Sequence, residues 1–211
     1  MILIHGGLLK NSHRLLVTCG LLLLGSCSLA PFSPNNTART LGSGTAAAEI
    51  GNANSNYFIR TAMGLSENFD LGYVMEFGGN FSTSGLFGKY AFVNNETGPS
   101  LAMEGGYGAT ESSSHYYAGA IGSIAFSDSF ELFINGRLNK VDTDEDDIEV
   151  GDSVGNMTIE ATDLTYVLAT TGFNLWFNEN LGMSLYGIYA FGNDIKWDNG
   201  AAIGGSFLIK M

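Results

Sequence analysis

The segment Phe69-Asp70-Leu71-Gly72-Tyr73-Val74-Met75-Glu76-Phe77-Gly78 decides the fold. Leu71, Tyr73, Met75 and Phe77 alternate with Gly72, Val74, Glu76 and Gly78. A period of two gives a strand with two unlike faces, one large and apolar, the other small or charged. Working outward, Leu101, Met103 and Tyr107 oppose Ala102, Glu104, Gly106 and Gly108; Met183, Leu185, Tyr189 and Phe191 oppose Ser184, Tyr186, Ile188 and Ala190. Ile203, Phe207, Ile209 and Met211 oppose Ala202, Gly204, Ser206 and Lys210. No segment carries a helical period. Ten strands are predicted, at 45–53, 56–65, 69–78, 84–94, 100–109, 115–126, 130–140, 163–177, 181–192 and 200–211, with Pro31, Pro34 and Pro99 outside them.

Strands of this length and even number point to an all-β, antiparallel up-and-down barrel. A membrane barrel turns its apolar face to lipid, whereas a soluble ligand-binding barrel does the reverse. The polar face sets isolated charges (Arg60, Glu76, Lys89, Glu104, Glu131, Arg137 and Lys210) among Gly, Ala and Ser. That mixture suits a crowded lumen in which acids and bases pair, and it favours the transmembrane reading. The connections agree. Ser66-Glu67-Asn68, Ser127-Asp128-Ser129 and Asn178-Glu179-Asn180 repeat one tight polar turn, while the alternate connections, such as 141–163, are longer. Short periplasmic turns opposite longer external loops are the outer-membrane arrangement, and it places both chain ends on the periplasmic side. Phe92, Phe126, Phe130, Trp176 and Phe177 cluster at the short-turn rim as an interfacial girdle. Residues 45–211 resemble the small outer-membrane β-barrel proteins of OmpA/OmpX type. That resemblance implies assembly by the barrel-assembly machinery. The chain departs from the family in ending on Met211 rather than an aromatic.

Ahead of the barrel, Lys10, His13 and Arg14 precede an apolar run at 15–24, then Gly25 and Ser26. Basic, apolar, small is a secretory signal, and the run is too short for a spanning helix of ~20 residues. Leu24-Gly25-Ser26-Cys27 resembles the bacterial lipobox. The resemblance implies a signal peptide over 1–26, a diacylglycerol and an acyl chain on Cys27, and passage through the lipoprotein-export machinery. Ser28 rather than Asp points the product to the outer membrane. Residues 27–44, with Pro31, Pro34, Asn35 and Asn36, read as the lipidated Cys and a tether, beside the inner leaflet. Cys19 leaves with the signal, so no thiol remains for a disulfide or a metal. Loss of Lys10 and Arg14 moves the net charge from −12 to −14 (−12 − 2), which excludes nucleic acid as a natural partner.

Asp142, Asp144, Asp146 and Asp147 could hold a hard cation loosely, but Asp147 stands where an EF-hand needs Gly and Ser153 where it needs Glu. A solvated external loop is the simpler reading. His115, after Ser112, Ser113 and Ser114, reads as a surface histidine at the long-loop rim and not as a catalytic base. The chain is therefore expected to be a lipid-anchored outer-membrane barrel with a structural or surface-interaction role. It would contact outer-membrane lipid and use no cofactor beyond its covalent lipid. A narrow channel, a soluble lipid-anchored binding barrel and a lipid-modifying enzyme are the alternatives.

Overall fold

The computed structural model describes residues 30–53, 56–78, 81–109, 113–143, 148–150, 157–159, 163–192, 195–197 and 201–211. The strands are β1 (Ala46–Ala53), β2 (Asn56–Ser66), β3 (Phe69–Gly78), β4 (Phe81–Val93), β5 (Gly98–Ala109), β6 (Ser113–Ser127), β7 (Phe130–Thr143), β8 (Ile148–Val150), β9 (Met157–Ile159), β10 (Asp163–Trp176), β11 (Leu181–Phe191), β12 (Ile195–Trp197) and β13 (Ala202–Lys210). Ten of them form a closed antiparallel barrel in which each strand pairs with its neighbours in chain order and β1 closes on β13. The short strands β8, β9 and β12 form a separate sheet in the long connections, with β9 in the middle. The connection after β7, read from sequence as a solvated loop, thus contains strands among its described residues.

The predicted strands match the barrel strands to within a few residues. Two of the shifts change the reading of a named residue. Pro99 lies inside β5, second in the strand, where its missing N–H is tolerated. Asp142 belongs to β7, opposite Ser114 and Asp163, and is exposed. Asp144, Asp146 and Asp147 fall outside the described residues.

The repeated turns have a common cause. Ser66 Oγ accepts from Asn68 N, Ser127 Oγ from Ser129 N, and Asn178 Oδ1 from Asn180 N. In each, the first side chain caps the amide two residues on, as short polar side chains do in tight turns. The register slips at Gly64/Ser66, Ala91/Val93 and Ala125/Ser127, all at this rim. Such bulges bend and twist the strand locally and are common at barrel rims.

The barrel is apolar outside and charged inside. Ile203 is 80% exposed, and Leu86, Met103, Ile134 and Phe207 are also exposed, while Arg60, Glu76, Glu104 and Arg137 are buried. A soluble barrel would collapse from such an exterior, so this face is the lipid face of an outer-membrane barrel. Phe92, Phe126 and Phe177 are exposed at the short-turn rim, and Tyr57, Tyr107, Tyr116 and Phe191 are exposed at the other, giving the paired girdles of an interface-to-interface span. Trp176 is the exception: it faces inward, with Lys210 Nζ 4.1 Å from its ring centre. Single cysteines replacing Tyr73, Met75 or Phe77 should react with a lipid-dissolved probe in vesicles, and cysteines at Gly72 or Glu76 should not. The opposite reactivity pattern would reverse the faces.

Candidate functional site

The lumen holds the chain's own front segment. Residues 30–41 run inside the barrel, where Ala30, Phe32, Ser33, Asn35, Asn36 and Ala38 are buried. The stretch read as a tether is therefore a plug. Eight-stranded barrels are filled by their own side chains. Ten strands with many inward glycines, alanines and serines leave room for one extended chain. At the short-turn rim the segment reverses into β1 through Gly42 and Gly44, with φ of 80° and 79°. Gly64 permits the close approach, since a Cβ there would lie 1.9 Å from Gly42 O. Gly44 N donates to Gly64 O, and Gly64 N to Thr45 O.

An extended chain without a strand partner must satisfy its backbone by other means. Pro31 and Pro34 bring no N–H, and their carbonyls accept from Arg137 and Arg60 respectively. Phe32 N donates to Glu76 Oε2 at 2.7 Å, and Ser33 N donates to the same oxygen. Asn35 Nδ2 donates to Glu104, which also accepts from Asn135 Nδ2 at 2.7 Å. Asn36 Nδ2 donates to Glu49 at 3.0 Å, and its carbonyl accepts from Asn174. Thr37 Oγ1 and Arg39 Nη2 both donate to Glu131, while Lys89 Nζ donates to the Arg39 carbonyl.

The charges of this interior balance. Among the described residues, Glu49, Asp70, Glu76, Glu104 and Glu131 face Arg39, Arg60, Lys89, Arg137 and Lys210, five acids against five bases. The seven charges singled out from the sequence are all inward. Glu49, Asp70 and Arg39 complete the set, and Arg39 comes from the plug. Arg60–Glu49 (3.0 Å), Lys89–Asp70 (3.2 Å) and Arg39–Glu131 (2.9 Å) are ion pairs. Glu76, Glu104 and Arg137 instead bind polar groups of the plug, and Arg137 also lies 4.8 Å over the Tyr117 ring. The expectation of acid–base pairing throughout is thus met for only some members. Glu76, Glu104 and Arg137 are matched to amides and carbonyls and Lys210 to the Trp176 ring, which sequence spacing does not reveal.

His115 is buried in the lumen, not on the surface, with Nδ1 3.5 Å from Thr83 Oγ1. Its strand alternates inward at Ser113, His115 and Tyr117, so a histidine beside the rim in sequence is turned into the barrel. Gly108 opposite leaves space for the ring, because a Cβ there would sit 2.4 Å from His115 Cε1. Cys27 and Ser112 lie outside the described residues.

No protein-family model matches the chain. No curated protein matches it either. Among solved structures it is similar to an outer membrane channel from Pseudomonas putida F1, at 12% identity and TM-score 0.46, covering 87% of this chain and 100% of that one. It is also similar to the KdgM porin in complex with disordered oligogalacturonate, at 7% identity and TM-score 0.40, covering 79% and 96%. A third is the outer membrane protease OmpT from Escherichia coli, at 12% identity and TM-score 0.41, covering 86% and 96%.

Proposed function

We propose that the chain is a closed outer-membrane barrel that works through its rim and loops rather than by passing solute. The observation that carries this reading is the match between residues 30–41 and the lumen wall. A loosely lodged segment would leave carboxylates and guanidinium groups to water. Here Glu76, Glu104 and Arg137 are bound by named groups of the plug. The lodging of residues 30–41 in the lumen speaks against the narrow-channel reading, which needs an open path. A role in surface interaction fits the elaboration of the long-loop rim, where β8, β9 and β12 form a sheet of their own.

The same proposal includes a lipid anchor at Cys27, supported by Leu24-Gly25-Ser26 before it. Export as a lipoprotein, folding by the barrel-assembly machinery and contact with outer-membrane lipid accompany it. The short-turn rim is taken as periplasmic, which places Met211 there.

Purified intact protein in a planar bilayer should give no steady conductance. A stable ohmic current from the full chain would replace this reading with the narrow channel.

A further inference from the structure

The plug is held largely by its main chain. The carbonyls of Pro31, Ser33, Pro34, Asn35, Asn36 and Thr37 accept from the wall side chains Arg137, Arg60, Asn135, Asn174 and Lys89. Phe32 N and Ser33 N share Glu76, and Ala38 N donates to Ser123 Oγ at 3.2 Å. Main-chain groups are common to every peptide, so a wall that satisfies them can grip an extended chain as such. Two features narrow the choice. Pro31 and Pro34 are spaced as Pro-x-x-Pro, which on an extended proline helix of about three residues per turn turns both the same way. Their carbonyls meet Arg137 and Arg60, which also share Ser33 O at 3.3 and 2.6 Å. Each guanidinium is braced by aromatic rings, Arg137 over Tyr117 and Arg60 beside Phe58 and Phe87. The side-chain amides of Asn35 and Asn36 then donate to Glu104 and Glu49.

We propose that the lumen wall is a binding site for an extended peptide of the pattern Pro-x-x-Pro-Asn-Asn, and that residues 30–41 are its tethered occupant. Aromatic-lined surfaces that take Pro-x-x-Pro segments exploit a chain that is already extended before it binds. The prolines suit this wall twice. Their rings fix φ, which lowers the entropy lost on ordering, and they bring no N–H to a stretch where the arginines offer only donors. Phe32 adds apolar contact, in the buried cluster that holds Phe58, Phe87 and Tyr117. The covalent link keeps the segment at high local concentration, so a free peptide competes on equal terms only once that link is cut. The site does not depend on a lipid at Cys27.

A site for a sequence-specific protease is inserted between Ser43 and Gly44, both exposed. The folded full chain is cut there, unfolded in urea and refolded into lipid vesicles with a large excess of a fluorescent peptide of residues 30–41. Heat-modifiable gel mobility reports folding. Each refolded barrel should retain one peptide, and the uncut chain taken through the same steps should retain far less. Cut barrels that refold without peptide, or that fail to refold where the uncut chain succeeds, would overturn the proposal. Equal retention by the uncut chain would put the peptide outside the lumen and overturn it too. Unlabelled competitors then test the recognition with the barrel unaltered. N-methylation of Phe32 removes the amide donated to Glu76 and should weaken competition roughly tenfold or more. A peptide carrying both Pro31→Ala and Pro34→Ala should compete severalfold less well, and one of reversed sequence hardly at all. Any of these three competing as well as the native peptide would overturn the recognition proposed. If the insertion does not fold, the same site flanked by glycine and serine carries the test.

Discussion

Removing residues 30–41 should turn a silent barrel into a pore that prefers cations. The deletion takes Arg39 away, so four bases remain against five acids (4 − 5 = −1). Glu76 loses the amides of Phe32 and Ser33, and Glu131 loses Thr37 and Arg39. Each carboxylate must then be hydrated, because an unsatisfied buried acceptor costs about 1–3 kcal/mol. Water entering for that purpose is the conducting path, and inward carboxylates select cations. The reversal potential across a potassium chloride gradient reads the preference. Deleted barrels that are folded by gel mobility yet silent would show that side chains alone seal the lumen.

Arg60→Met should be the most damaging single substitution in the lumen. Arg60 Nη1 is 3.0 Å from Glu49, and Nη2 donates to Ser33 O at 2.6 Å. Its guanidinium also lies 5.6 Å from the Phe58 ring centre and 5.5 Å from that of Phe87. Removing one partner of a buried pair costs about 3–5 kcal/mol because the other charge is stranded. A typical domain has about 5–15 kcal/mol in all. Arg60→Lys should recover little, since one ammonium cannot serve the carboxylate and the plug carbonyls in the same fork. Adding Glu49→Gln to Arg60→Met should recover part of the loss. Urea midpoints in lipid vesicles measure all three. A loss below about 1 kcal/mol, the scale of an exposed pair, would mean that the lumen is wet around Arg60.

The barrel was legible because lipid and lumen impose opposite chemistry on alternate residues, and the register follows from that contrast at Leu71/Gly72 or Met103/Glu104. The plug was not, because a segment without a strand partner has no period to read. Pro31, Pro34, Asn35 and Asn36 look the same in a solvated linker and in a lumen that supplies donors and acceptors. Trp176 and His115 were misplaced for a related reason. Both stand near strand ends, where position along the chain suggests a rim, but each keeps the inward parity of its strand.

The seam of the barrel joins the first strand to the last, and the plug is covalently continuous with the first. Asn36 and Asn174, which meet in the lumen, are 138 positions apart. The front of the chain thus emerges first in synthesis, yet one of its partners lies near the far end, where loop-closure entropy is large. Zipping β1 to β13 and enclosing residues 30–41 are then one event. The product has the topology of a lasso: a ring closed around its own tail, which can leave only lengthwise. A bulky group on the tail beyond the ring would act as a stopper, and separation would require opening the seam.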